Sequence, residues 1–532
     1  MTTLFKDKKD LFTIKEAVIW ARKYLNKKVT FSNISYLVQY GKIRKIETNG
    51  FIYINKSELQ KYYDSYYGKR EIDWKNKLGD DLNWHLSFDY LREKDTTKHV
   101  HRLHPYKGKF IPQLVNYFLD GHTDEFKMKA YFKKGDIILD PFCGSGTTLV
   151  QANELAMHAI GIEISEFNTL ISNAKITKYD IIKLNKKIVE ITKVLRNYSL
   201  NSSAIAFEKE LLEELFKFNS KYFPSPKFKL RVRNGEIKER EYSKQKEFEF
   251  QQIYNNLKKI YKIEFKSSQN GNFYDMWYIN PIKDEIKLVF NEIKKERDSN
   301  IKKILAIILS RTMRSCRATT HSDLATLKEP VITTYYCTKH KKICKPLFTI
   351  ARWWDTYCKD TLRRLSTFNS LRTNTYQVCL NCDSKTIDIF SELEKKNAAF
   401  AEQAKSDKIN GIFTSPPYVG LIDYHEQHAY SYDLFGFKRR DKLEIGSLSK
   451  GQGGEARNLY IKEISDVLVN CKRFLIDDFN IFIVANDKYN LYPGIAENVG
   501  MQVINKYKRP VLNRTEKNRN AYSETIFHLK QR

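Results

Sequence analysis

Nowhere in the 532-residue chain is there an apolar run of the roughly 18 residues that a membrane-spanning helix needs. The first residues, Met1 to Asp10, are lysine-rich with no apolar stretch behind them, so a secretory leader is not expected either. Cysteine is sparse and scattered, with 8 in the whole chain, too few for a disulfide scaffold and in keeping with a reducing compartment. These absences predict a soluble, cytoplasmic protein with no membrane partner. Acidic residues are outnumbered: 63 Asp and Glu stand against 92 Lys and Arg, a formal charge of +29. Such an excess favours a polyanionic partner, because neutralising phosphates releases condensed counterions, although an AT-rich, lysine-rich genome would leave the same mark. What is present excludes disorder as the dominant state: 42% of residues are hydrophobic and 13% aromatic. At roughly 150 residues per domain, the length allows three or four folding units.

Residues 1–65 read as one compact module. Ile14, Ala17, Val18, Ala21 and Leu25 recur at helical spacing behind Thr13, an N-cap residue, and a second amphipathic stretch carries Ile34, Leu37 and Val38. Asn49-Gly50 between two alternating runs is a strong hairpin signal. This order of helix, helix, hairpin, helix resembles the winged helix-turn-helix of excisionase or MerR-like DNA-binding modules. The resemblance implies that the stretch around Ser32 to Tyr40 approaches the major groove and the hairpin acts as a wing; a packing or dimerisation module is the alternative. Residues 66–100 show no clear period and read as a linker. An α/β texture follows over 101–177, a long, charged and mainly helical stretch fills 178–375, and the α/β texture resumes over 376–532. In the charged stretch Arg311, Arg314 and Arg317 fall at i, i+3 and i+6 with no acid between them, which suits phosphate contact better than self-pairing.

The sharpest signal is Asp136-Ile-Ile-Leu-Asp140-Pro141-Phe142-Cys143-Gly144-Ser145-Gly146-Thr147-Thr148. An apolar strand runs into an acid, a glycine-rich turn and then a helix, so backbone N–H groups and the helix N-terminus can approach a ligand closely. A second strand, Ala159 to Glu163 with Ile164 beyond it, ends in a carboxylate placed to accept both ribose hydroxyls of an adenosine. Thr-Thr stands where a dinucleotide fingerprint would have its third glycine, and no P-loop Gly-Lys-Ser/Thr follows. That argues against a pyrophosphate and for a ligand with an adenosyl end and a charged amino-acid end. The block Asp140 to Thr148 is similar to the S-adenosylmethionine motif of the amino-group DNA methyltransferases. The resemblance implies S-adenosylmethionine as cofactor, held by these residues with Glu163 and Ile164.

Ile409 to Thr414 is a second apolar strand that ends in a rigid turn, Ser415-Pro416-Pro417-Tyr418. The two prolines fix φ and remove N–H donors, leaving carbonyls free to face a ligand. The turn resembles the catalytic Ser-Pro-Pro-Tyr motif of the same family, implying catalytic roles for Ser415, Pro416, Pro417 and Tyr418, with Thr414 beside the cofactor. The exocyclic amine of a base is a poor nucleophile, since its lone pair is delocalised into the ring. Hydrogen bonds from its N–H atoms to the Ser415 hydroxyl and the Pro416 carbonyl would favour a tetrahedral nitrogen, and Tyr418 would stack on a base rotated out of the duplex.

Thr375 to Ser384, an alternating strand ending at Asp383 and Ser384, resembles the third cofactor motif, where the acid or its neighbours meet the adenine. His104 to Leu114 resembles the motif that closes over the methionine end, carrying over Lys107, Phe110 and Pro112. His425 and His428, just after the catalytic turn, are spaced i, i+3 rather than the i, i+4 of a zinc hydrolase helix, and are expected near DNA. Cys337-x-x-His340-x-x-x-Cys344, with Cys358 beyond, offers four possible ligands for zinc, which stays an open alternative; without a second Cys-x-x-Cys pair, buried or surface thiols are the preferred reading and no metal is assigned.

The order of these motifs resembles the group in which the cofactor half precedes the catalytic half. It implies a Rossmann-like, doubly wound α/β sheet closed by an antiparallel hairpin, with 178–375 inserted for target recognition. The chain contains no Pro-Cys pair, the thiolate that ring-carbon methylation of cytosine requires. Ser415 resembles the cytosine-N4 group, where Asp or Asn would resemble the adenine-N6 group. The expected activity is therefore methylation of cytosine N4 in a short double-stranded DNA sequence, beside a cognate restriction endonuclease. Adenine N6, and a non-catalytic DNA-binding regulator on the same scaffold, are the alternatives.

Overall fold

The computed structural model describes residues 10–26, 29–39, 43–48, 51–64, 70–267, 271–321, 329–512 and 521–532. Thr13 opens the first helix, Ile14–Leu25, through a capping box: its hydroxyl accepts from the Glu16 N–H at 3.3 Å and the Glu16 carboxylate accepts from the Thr13 N–H at 2.8 Å. Strand β1 (Leu11–Thr13) precedes this helix, and a second helix, Phe31–Gln39, follows. Strands β2 (Ile46–Thr48) and β3 (Phe51–Asn55) then pair antiparallel with Thr48 opposite Phe51, giving the sheet order β1-β3-β2. Ala17, Val18 and Ala21 meet Ile34, Leu37, Val38 and Ile54 in a small core, on the faces that helical spacing assigns. The Asn49-Gly50 turn and Tyr40 lie outside the described residues.

The remaining strands are β4 (Ile137–Asp140), β5 (His158–Ile162), β6 (Tyr335–Cys337), β7 (Lys342–Cys344), β8 (Gln377–Leu380), β9 (Ile409–Thr414), β10 (Leu475–Ala485), β11 (Met501–Pro510) and β12 (Ser523–Gln531). Seven of them form the main sheet in the order β11-β12-β10-β9-β4-β5-β8. Strands β8, β5, β4, β9 and β10 run parallel, and β12 lies antiparallel between β10 and β11. A parallel sheet covered on both faces requires nearly continuous apolar strands, and Ile137, Ile138 and Leu139 are at most 1% exposed. Alternation then sorts them: Ile138, Phe413 and Phe482 join one core, while Ile137, Leu139 and Ile412 join the other.

From β4 the chain winds outward through β5 and β8, then returns to place β9 on the opposite flank of β4. This reversal is a topological switch point, where the loops leaving adjacent strand ends part and open a crevice. Between β5 and β8 the chain is mainly helical, with Ile181–Leu200, Ser203–Tyr222, Glu239–Ile260, Asn280–Lys294, Ser299–Ser315 and Ala351–Asn369 as its longest helices. Leu184, Ile188, Ile191 and Leu195 form the buried stripe of the first of these, and the stripe is continuous with the core on one sheet face.

Residues 66–100 were expected to be a linker, but much of that stretch packs onto the sheet. Leu86, Phe88 and Val100 are buried in the same core, and the Asn83 N–H donates to the Lys508 carbonyl on β11 at 2.7 Å. Past the helix Arg70–Leu78 the missing period has a physical cause: only single turns, Trp84–Ser87, Glu93–Thr96 and His99–Arg102, carry the segment, and so short a turn has no 3.6-residue stripe to read.

Candidate active site

The Asp140 carboxylate, at the end of β4, accepts from the Thr414 hydroxyl at 2.6 Å and from the Phe142 N–H at 3.2 Å. One buried acid thus ties the glycine-rich loop to the last residue of β9, the strand that launches Ser415. Burial pushes the Asp140 pKa up to about 6, against the hydrogen bonds from Thr414, Thr148 and Phe142. Gly144 and Gly146 both have positive φ, 51° and 74°. A Cβ on Gly146 would lie 3.1 Å from the Ser172 Cα, and one on Gly144 would lie 2.9 Å from the Tyr106 hydroxyl oxygen, so the loop passes between a backbone and an aromatic ring with room for neither side chain.

Just past β5 the Glu163 carboxylate turns back over this loop, accepting from the Gly144 N–H at 2.8 Å and the Ser165 N–H at 2.9 Å. Burial pushes its pKa up to about 7, against those two bonds. A cavity opens here. Pro141, Phe142, Glu163 and Ile164 form one wall, Asp383 and Ser384 beyond β8 form a second, and Ser415 with Pro417 forms a third. The Ser384 hydroxyl donates to the Pro141 carbonyl at 2.6 Å and so joins two of these walls.

The cavity is completed by residues that the sequence reading missed. Tyr106 and Tyr424 stack with ring centroids 5.6 Å apart, and Leu443, Glu444 and Ile445 close the far side. Tyr106 did carry a signal, since it is the aromatic next to Lys107 in the His104 motif. The 443–445 segment carried none. Several expected residues act from behind the wall instead. Phe110 packs edge-on against Phe413 at 5.4 Å, and Pro112 is the buried first residue of the helix Pro112–Leu119. Cys143, Ser145, Thr147 and Thr148 are buried, with the Thr148 hydroxyl donating to the Phe413 carbonyl at 3.3 Å and the Ser145 carbonyl accepting from the Lys175 ammonium. Pro416 is buried within the turn.

Tyr418 lines a neighbouring cavity. Its hydroxyl donates to Glu524 Oε1 at 2.9 Å, and this second cavity, of about 250 Å3, is also lined by Asn486, Lys488, Tyr489 and Tyr522. The Tyr418 side chain also hydrogen-bonds the Ser415 side chain, so the Ser-Pro-Pro-Tyr turn joins the two cavities, with Ser415 lining the first and Tyr418 the second. A wider cleft borders the second cavity through Leu421 and is lined by Lys107, Arg314, Arg317, Asp423 and His428.

Three expected DNA contacts are corrected. Arg311 is 7% exposed; its guanidinium donates to Asp360 at 2.7 Å and lies 4.2 Å over the Tyr357 ring. Each three-residue step falls about 60° short of a full helical turn, so the row of arginines winds from the core at Arg311 to the cleft at Arg314. His425 is fully buried, with its ring Nδ1 hydrogen-bonded to Glu444 and its backbone N–H donating to the same carboxylate at 2.8 Å. His428 is 2% exposed and packs against Tyr106 and His104; burial, with Arg314 and Arg317 nearby, pushes its pKa down to about 3 and leaves it neutral.

A model of a DNA methylase family matches residues 2–174. The chain is similar to the Type II methyltransferase M.MjaII of Methanocaldococcus jannaschii, 48% identical over 526 residues, which covers 98% of this chain and 97% of that protein. It is 31% identical over 129 residues to the Type II methyltransferase M.MvaI of Kocuria varians, covering 24% of this chain and 26% of that one. With the Type II methyltransferase M.BsoBI of Geobacillus stearothermophilus it shares 34% identity over 136 residues, covering 23% and 25%. Among the described residues, no helix is long and apolar enough to cross a membrane.

Proposed function

Since the chain belongs to the amino-group DNA methyltransferase family, with S-adenosylmethionine as methyl donor and double-stranded DNA as substrate, we propose that it methylates cytosine at the exocyclic N4, within a short sequence shared with a cognate restriction endonuclease. The observation that carries this reading is the Asp140–Thr414 hydrogen bond, which sets Ser415 on the wall of the cavity that the glycine-rich loop opens. Ser415 at the head of the turn is what favours cytosine over adenine.

The first cavity fits the cofactor by its chemistry. Glu163 Oε1 accepts from the Ser165 N–H and, at 3.5 Å, from the Asn168 amide, while Oε2 accepts from the Gly144 N–H and keeps a lone pair for a ribose hydroxyl. Pro141, Phe142, Ile164 and Ile445 offer an apolar slot for the adenine, with Asp383 at its edge to accept the exocyclic amine. When bound, the cofactor supplies an electrophilic methyl group on a sulfonium. The Ser415 hydroxyl and the Pro416 carbonyl accept the N–H bonds of the target amine and hold its lone pair out of conjugation. Tyr418, fixed by Glu524, and Tyr522 flank the second cavity, which receives the base rotated out of the duplex. Lys107, expected over the methionine end of the cofactor, lines the adjoining cleft instead, where with Arg314 and Arg317 it meets backbone phosphates. The insert, 178–375, reads the target, and the N-terminal module, 1–65, adds a second DNA contact.

Single-molecule sequencing and nucleoside mass spectrometry of DNA from cells expressing the protein test the base assignment. N4-methylcytosine at one short motif is the expected result. N6-methyladenine overturns the assignment to cytosine, and cofactor binding with no methylated base supports the regulator reading instead.

Glu163 sets a pH dependence. Its pKa is raised to about 7, so much of it is protonated in the free protein at mildly acidic pH. Only the ionised form keeps that lone pair for a ribose hydroxyl, so apparent cofactor affinity should rise about tenfold from about pH 6 to about pH 8 as the competent fraction fills. Calorimetry across that range, with Glu163→Gln weak and flat throughout, checks it.

The arginines separate stability from DNA contact. Burial opposes ionisation of Asp360, yet hydrogen bonds from Arg364 and Arg311 hold its pKa down to about 2. A depressed carboxyl stabilises the fold above its unfolded pKa and loses that contribution as pH falls through the folded value. Arg311→Ala should destabilise the protein by about 3 kcal/mol in chemical denaturation, the low end for a broken buried pair because Arg364 stays on Asp360, without altering the salt dependence of DNA binding. Arg314→Ala and Arg317→Ala should do the reverse, each lowering the salt slope by about 1 with stability intact.

A further inference from the structure

The hairpin β6–β7 takes no part in either cavity, yet it gathers soft ligands. Cys337 ends β6, Cys344 ends β7, and His340 lies in the turn between them. The register sets Cys337 opposite Lys342 and Tyr335 opposite Cys344, so the two cysteines are diagonal neighbours on one face. His321, on the segment that follows Arg317, closes the group: ligand atoms of His321, Cys337, His340 and Cys344 all lie within 4.8 Å of one another.

The details match a metal site rather than chance packing. Cys344 Sγ and His340 Nδ1 are 3.5 Å apart, and the sulfur–nitrogen edge of a zinc tetrahedron with Zn–S of about 2.3 Å and Zn–N of about 2.0 Å is about 3.5 Å. The His340 N–H donates to Cys337 Sγ at 3.4 Å, a bond that supports a thiolate. The Tyr335 oxygen accepts from the His321 backbone N–H at 3.1 Å and meets His321 Nδ1 at 2.8 Å. With Nδ1–H directed at Tyr335, the Nε2 lone pair is left to ligate, the outer-shell arrangement usual for a metal-bound imidazole.

We infer that His321, Cys337, His340 and Cys344 bind one zinc(II) ion as a closed structural site. Two thiolates and two imidazoles leave no position for water or substrate, and this donor set selects zinc. Binding releases the two thiol protons. This takes up the zinc alternative that the sequence left open and changes its ligand set, with His321 in place of Cys358, which is buried in the helix Ala351–Asn369 and outside the cluster. The hairpin is itself anchored: the Asn219 side chain bonds both the carbonyl and the N–H of Ile343, at 3.0 and 2.9 Å, and Tyr336 donates to Glu239 at 3.0 Å. The ion would therefore clamp the segment bearing Arg317 to the helices Ser203–Tyr222 and Glu239–Ile260.

Full-length protein purified without chelators should contain one zinc per chain by plasma mass spectrometry. Cobalt(II)-exchanged protein should show the visible bands and thiolate charge-transfer absorption of a tetrahedral sulfur–nitrogen site. Cys344→Ser and His321→Ala should lose the metal, while Cys358→Ser keeps it. Should the ligand variants fail to fold, the wild-type protein decides. A metal-free chain that takes up no added zinc, a Cys337–Cys344 disulfide in the native protein, or zinc retained in both ligand variants would overturn the assignment.

Discussion

Ser415→Ala should lower kcat by roughly 100-fold while the cofactor Kd stays within about threefold. The change deletes one hydroxyl from the wall of the cofactor cavity, together with its hydrogen bond to Tyr418, which Glu524 still holds. Thr414 keeps its hydrogen bond to Asp140, and Pro416 still holds residue 415 in an extended conformation. What disappears is an acceptor for the amine, an interaction that strengthens only as the nitrogen becomes tetrahedral. Such a loss lowers kcat and kcat/KM together. Tritium transfer to a cognate duplex, run beside calorimetric titration of the cofactor, separates the two quantities. Normal turnover in the variant would sink the amine-polarising role, and an equal loss in cofactor affinity would move Ser415 into the cofactor site.

Gly146→Val acts on the other half of the site. At φ 74° a β-branched residue carries about 1–3 kcal/mol of backbone strain. Its Cβ would also stand 3.1 Å from the Ser172 Cα, a backbone atom of the helix Glu166–Ile176 that has nowhere to go. The loop must shift, and the Gly144 N–H that orients Glu163 shifts with it. Cofactor affinity should fall by about 10–100-fold, following the strain energy at about 1.4 kcal/mol per decade. Gly146→Ala should fall between wild type and valine. Circular dichroism guards against global unfolding, and a valine variant that is folded and binds the cofactor normally would show that the tightness of this turn is not what shapes the site.

The elements that were legible in the sequence are those whose conformation is encoded within a few residues. Ile137-Ile138-Leu139 reads as a doubly covered strand because it is apolar throughout. Gly144 and Gly146 announce positive φ, and Pro416-Pro417 a rigid turn. The missed or misassigned residues depend on what lies across from them. Tyr424 stacks on a ring more than 300 residues earlier in the chain, at Tyr106. Arg311, Arg314 and Arg317 look alike in sequence, and only the position of Asp360 and Tyr357 sends the first of them inward. His321 has no local pattern at all, and joins Cys337, His340 and Cys344 through the path of the chain after Ser299–Ser315.

By itself, the sequence determined the two reactive loops and the order in which the strands carrying them occur, because backbone preference and apolar period act over one element at a time. The tertiary structure alone decided that the loops share a cavity. Strand β9 pairs beside β4 across 274 residues, from Asp140 to Thr414, and no local preference reaches that far. It also decided that Ser415 and Tyr418, three residues apart, line adjoining cavities, since Tyr418 is drawn to Glu524 on the distant strand β12.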